Sequence, residues 1–114
     1  MKLNMIFTIC PSDNLEKIVD SAKAAGATGA TILSVRGTGH KEAKTFFGLT
    51  LDRPQEALVL LVERHYCPKI MKVIYDAGDM KEPGNGICFS LPIESVLGLE
   101  SQMNTLEKEA EEYL

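Results

Sequence analysis

The stretch KIMKVIYDAG (residues 69–78) is the key to the fold, because KIVDSAKAAG (residues 17–26) repeats its frame. Lys17-Ile18 stands eight residues before Ala25-Gly26, and Lys69-Ile70 stands eight residues before Ala77-Gly78. Around the first copy, Leu15, Ile18, Val19, Ala22 and Ala25 recur at helical spacing. In the second, Ile70, Val73, Ile74 and Ala77 do the same, which predicts two helices with one apolar side each. Asp13 and Glu16 read as a capping-box pair opening the first helix, and Gly26 as its left-handed C-terminal cap. Pro68 suits the first turn of the second helix, and Gly78 closes it.

Strands flank both helices. Leu3, Met5, Phe7 and Ile9 alternate along the first, giving it one strongly apolar face. Residues 29–36 (GATILSVR) form a second, rich in β-branched types. EALVLLV (56–62) is apolar on both faces, as a central strand is. After the turn Pro83-Gly84-Asn85-Gly86, the residues Ile87, Phe89, Leu91 and Ile93 alternate as a fourth. Two β-α-β halves in sequence predict an α+β fold, a ferredoxin-like βαββαβ sandwich with both helices on one face of an antiparallel sheet. Residues 1–99 make this domain, and a long loop of about 38–54 joins strands 2 and 3. Residues 100–114 read as an acidic C-terminal helix, with Leu99, Met103, Leu106, Ala110 and Tyr113 as its apolar seam. Ile6, Leu33 and Cys88, with the central strand, leave a second sheet face in need of cover. That predicts a closed homo-oligomer.

Composition narrows the function. The chain has 114 residues, a net charge of −4 and no Trp, which argues against nucleic acid or an anionic membrane as partner. Five Glu and one Lys in residues 100–114 account for that −4, so the acidity belongs to the tail. The three cysteines, Cys10, Cys67 and Cys88, include no CxxC pair and read as buried thiols of a cytoplasmic protein. No apolar run approaches the length of a membrane span. No nucleophile elbow occurs, and no site combines base, nucleophile and cation cluster, so the chain does not read as an enzyme. An acylphosphatase would need an Arg after strand 1, where Cys10-Pro11-Ser12-Asp13 stands instead.

Two Gly-rich turns, Gly37-Thr38-Gly39 and Pro83-Gly84-Asn85-Gly86, could cradle phosphate with backbone N–H groups. Ordinary turns are the plainer reading of each. From Arg36 to Arg53 the charges are Arg36, Lys41, Lys44 and Arg53 against Glu42 and Asp52, a local excess of two cations. Phe46 and Phe47 add apolar surface for a partner or for packing. His65 and Cys67, with Cys10, are the residues a metal site would use.

The segments GATGATILSVRGTG (26–39), KIMKVIYDAG (69–78) and EPGNGICFSLPIESVLGL (82–99), with the long loop, resemble the P-II nitrogen-regulatory signalling family over about residues 1–99. The resemblance implies a homotrimer that binds ATP or ADP as an effector between subunits, sometimes with 2-oxoglutarate and magnesium, and has no required cofactor. It further implies that the long loop, the family's T-loop, docks on a membrane transporter or an enzyme as its regulator. Thr31 matches the family's adenine-side threonine, and Gly37 and Gly39 match the base of its T-loop. Gly84 and Gly86 match its phosphate-side loop, with Asn85 for the usual Asp. Arg36 and Thr38 complete the implied nucleotide site, and Lys41, Lys44, Phe46 and Phe47 the partner-binding loop. Ile87, Gly98 and Glu100 stand where the family carries phosphate-binding cations. That should weaken triphosphate binding, since each charge-assisted contact is worth roughly 1.5–3 kcal/mol. The loop also lacks the uridylylated tyrosine and the glutamine that serves 2-oxoglutarate. An alternative resemblance, to the CutA-like divalent-metal tolerance proteins of the same architecture, would place metal at His65 and Cys67.

Overall fold

A computed structural model describes residues 1–35 and 54–99, together with the backbone of a short ladder at 45–46 and 49–50. The chain runs β1 (Leu3–Pro11), α1 (Leu15–Ala24), β2 (Thr31–Val35), β3 (Thr45–Phe46), β4 (Leu49–Thr50), β5 (Gln55–Glu63), α2 (Cys67–Ala77) and β6 (Ile87–Pro92). Strands β2, β5, β1 and β6 lie side by side in that order, every neighbour antiparallel. This is the expected sandwich, and EALVLLV lies inside it, between β2 and β1. The β3–β4 ladder, Thr45 opposite Thr50 and Phe46 opposite Leu49, gives the segment expected as plain loop some order of its own. The expected C-terminal helix, with Glu100, lies outside the described residues.

The helices seal one face. Ile6 and Cys10 of β1 and Leu58, Leu60 and Val62 of β5 pack there against Ile18 and Ala22 of α1 and Ile70 and Ile74 of α2. The opposite face carries rows set by register: Leu33–Ala57–Ile9–Ile87, Thr31–Val59–Phe7–Phe89 and Leu61–Met5–Leu91. Phe7 and Phe89 stack there at 5.3 Å between ring centroids. The face is apolar, and among the described residues it is uncovered: Leu33 is 49% exposed, Phe89 40% and Leu91 43%. Alternation found both faces but inverted their roles. The stronger stripe (Met5, Phe7, Ile9) lies on the open side, whereas Ile6 and Cys88, expected there, turn toward the helices. When both faces of a strand are apolar, period 2 separates them without saying which receives the helices.

Helix ends show a second inversion. At α1 the amide of Gly26 donates to Lys23 O and that of Ala27 to Ala22 O, at 3.0 and 2.9 Å, a Schellman motif with Gly26 at its positive-φ position. At α2 the same pair of bonds runs from Asp79 to Asp76 O and from Met80 to Tyr75 O. The left-handed residue there is Asp79, at φ 49°, and not Gly78. Gly78 is small for another reason: a Cβ on it would stand 2.9 Å from Ile18 Cδ1, where α1 and α2 touch. Asp13, expected as the N-cap of a capping box, lies instead inside a 3-10 turn, one residue before the N-cap Asn14. The chain enters α1 through a 3-10 turn (Ser12–Asn14), and Asn14, at φ −97° and ψ −7°, makes no side-chain cap bond. At the start of that turn, Ser12 ties the entry to the sheet by donating its amide to Pro54 O and its hydroxyl to Glu56 Oε1.

Candidate functional site

The loop from Asp79 to Gly86 is held from within. Glu82 N–H donates to Asp79 O, Asn85 N–H to Glu82 O, and the Asn85 amide group to Asp79 O at 3.0 Å. Asn85 is therefore a staple of the loop. The two glycines do different work. A Cβ on Gly86 would collide with Ile9 O, so this glycine is fixed by the close approach of the loop to β1. Gly84, at φ 86°, has nothing within 4 Å of the corresponding point and faces open space. Of the pair, Gly84 is the one a ligand can approach. Ile87, directly after the loop, packs with Ile9 and Ala57 on the open sheet face.

Thr31 lies exposed on β2, at the opposite edge of the sheet from that loop. Three strand spacings separate β2 from β6, about 14 Å. One chain does not bring Thr31 and Gly84 together. Arg36, Gly37, Thr38 and Gly39 lie outside the described residues, as do Lys41, Lys44, Phe47 and the side chain of Phe46. The chain leaves for that segment at Val35, which pairs with Gln55 beside Pro11. That is the end of the sheet at which Gly86 meets Ile9 and Cys10.

His65 and Cys67 are not brought together as metal ligands. The His65 ring is 77% exposed and its Nδ1 lies 2.9 Å from Glu63 Oε1. Cys67 faces the core, and its thiol donates to Met71 Sδ at 3.8 Å. Among the described residues no three His, Cys, Asp or Glu side chains converge on a metal position. Cys10 is fully buried, and burial, with Glu56 nearby, pushes its thiol up to about 11. The Cys88 thiol is also raised by burial, partly offset by the Thr8 hydroxyl, which donates to it at 3.4 Å.

A four-stranded antiparallel sheet with two helices on one face defines a ferredoxin-like domain, and its candidate ligand residues lie on opposite edges of that sheet. Residues 3–102 match the family model for nitrogen regulatory protein P-II, and the chain belongs to that family. The fold is shared by a PII-like signalling protein of Thermus thermophilus, with 17% identity and a TM-score of 0.61 over 82% of this chain and 88% of that one. It is shared as well by CPII of Thiomonas intermedia, solved with ADP, AMP and acetate, with 16% identity and a TM-score of 0.64 over 84% and 90%. No curated protein matches the sequence. The protein is thus a P-II-like signalling protein, of a family of regulators rather than enzymes. Among the described residues no helix is long and apolar enough to cross a membrane.

Proposed function

We propose that the protein is a cytoplasmic homotrimeric regulator that binds an adenine nucleotide between subunits and acts on a transporter or enzyme through residues 38–54. Residues 1–99 form the regulatory domain and 100–114 a helical addition to it. One observation carries the reading: the candidate residues sit on opposite edges of one sheet whose open face is apolar. Copies closing on that face bring the β2 edge of one subunit, with Thr31, toward the β6 edge of the next, with Gly84. Arg36, Gly37, Thr38 and Gly39 would complete the first half-site, with Asn85 and Gly86 shaping the second. The ADP and AMP bound to the Thiomonas protein support the ligand class. Nucleotide binding would order the loop for docking, a switch that needs no chemistry.

The test is Gly84→Asp. The position is open and aspartate tolerates positive φ, so the fold survives. The new carboxylate meets the phosphates and should lower ADP and AMP affinity about tenfold or more by calorimetry. Unchanged affinity, with the trimer intact by light scattering, would remove the loop from the site. Gly86→Val cannot serve as this test, because its Cβ collides with Ile9 O.

A further inference from the structure

The cleft between α2 and β6 borders the proposed nucleotide site at Gly86, and it is rich in sulfur. It holds about 490 Å³, and its lining includes Met71, Met80 and Cys88 together with Lys72, Tyr75 and Gly86. Behind Met71 lies Cys67, which is 3% exposed. One turn of helix separates the two, so they share a side of α2, and their sulfurs are 3.8 Å apart. Cys88 packs against the same core cluster from the strand side, and Thr8 fixes its sulfur through a hydrogen bond. Met71, Met80 and Cys88 thus line one cleft, and Cys67 stands one helical turn from Met71 with its sulfur in contact.

We propose that Cys67, Met71 and Cys88 form a binding site for cuprous ion, entered through this cleft. Soft thiolate and thioether ligands select Cu(I) over the harder divalent ions, which want imidazole or carboxylate. The spacing suits a single ion: one about 2.3 Å from each sulfur would see the Cys67–Met71 pair at an angle of about 110°. The proton of each thiol passes to solvent as the metal binds. Two thiolates and one monovalent cation leave a single negative charge. Lys72, on the cleft lining, is itself paired with Asp76 at 3.0 Å and lies over the Tyr75 ring. Met71 and Cys88 line the open cleft, so the ion reaches two of its ligands from solvent before Cys67 closes on it.

The experiment is an anaerobic titration of the reduced full-length protein with Cu(I) against a chromogenic cuprous chelator. The wild type should withdraw one ion per chain. Met71→Leu, which keeps the volume, and Cys88→Ala should each weaken binding about tenfold to a hundredfold. His65→Ala should change nothing. Copper X-ray absorption of the loaded wild type should show a sulfur-only shell, a reading that does not depend on any variant folding. No ion withdrawn by the wild type, nitrogen or oxygen in the shell, or affinities of both variants within about twofold of the wild type would overturn the site.

Discussion

The two faces of the sheet are built from the same residue types and have opposite fates. Under the helices, Ile6, Leu58, Ile70 and Ile74 have no measurable exposure, while across the sheet Leu33, Phe89 and Leu91 keep close to half of theirs. The difference is one of cover, not of hydrophobicity. The chain supplies both helices to one side, and among the described residues no element packs over the other. That open apolar face is the surface on which the proposed association would take place.

Breaking the sealed side should have the larger effect. Ile74→Ala removes a fully buried side chain between α2 and the sheet. The expected loss is about 2–5 kcal/mol of unfolding free energy in denaturant titration, with the oligomer lost alongside. Phe89→Asp tests the open side. It places a carboxylate in the row of Phe7 and Val59, which should abolish association in light scattering. The isolated subunit should keep its circular dichroism, because the residue is already 40% exposed in one chain. A Phe89→Asp chain that stays trimeric would mean that the neighbours meet elsewhere. The smallest effect belongs to the sealed side again. Cys10 lies there, and its pKa is raised from 9.0 to about 11. The unfolded chain therefore loses this proton first, and the stability it contributes is present below pH 9 and lost as pH rises toward 11. Denaturation midpoints across that window should fall less steeply in Cys10→Ala than in the wild type.

Element types and their order were legible because period 2 and period 3.6 are backbone geometry written in side chains. The matched frames at 17–26 and 69–78 located both helices, and Pro68 marked the first turn of α2. What stayed illegible were choices between equivalent local solutions. The alternation in β1 could not say which face meets the helices, since that is settled by residues far away in sequence. Asp13 and Glu16 had the right spacing for a capping box, but the chain enters α1 through a 3-10 turn that makes Asn14 the N-cap. In Pro83-Gly84-Asn85-Gly86 the two glycines look alike, yet one is pressed against Ile9 and the other faces open space. The sulfur cluster was split across positions 67, 71 and 88, and thioethers belong to no common spacing motif. The site residues in 36–47 were argued from sequence and resemblance alone.

The contact between Gly78 and Ile18 has a consequence for how the two halves of this chain can diverge. Position 78 has no side chain because position 18 has a long one reaching over it. A methyl group added at 78 would meet Ile18 Cδ1 at 2.9 Å, Met80 Cε at 3.1 Å and Ile74 O at 3.2 Å, so a shorter residue at 18 would relieve the tightest of these contacts. The two sites therefore form an epistatic pair, one in each copy of the repeated frame. A change at either position alters what the other can hold, so helices that look like independent repeats are coupled at this contact.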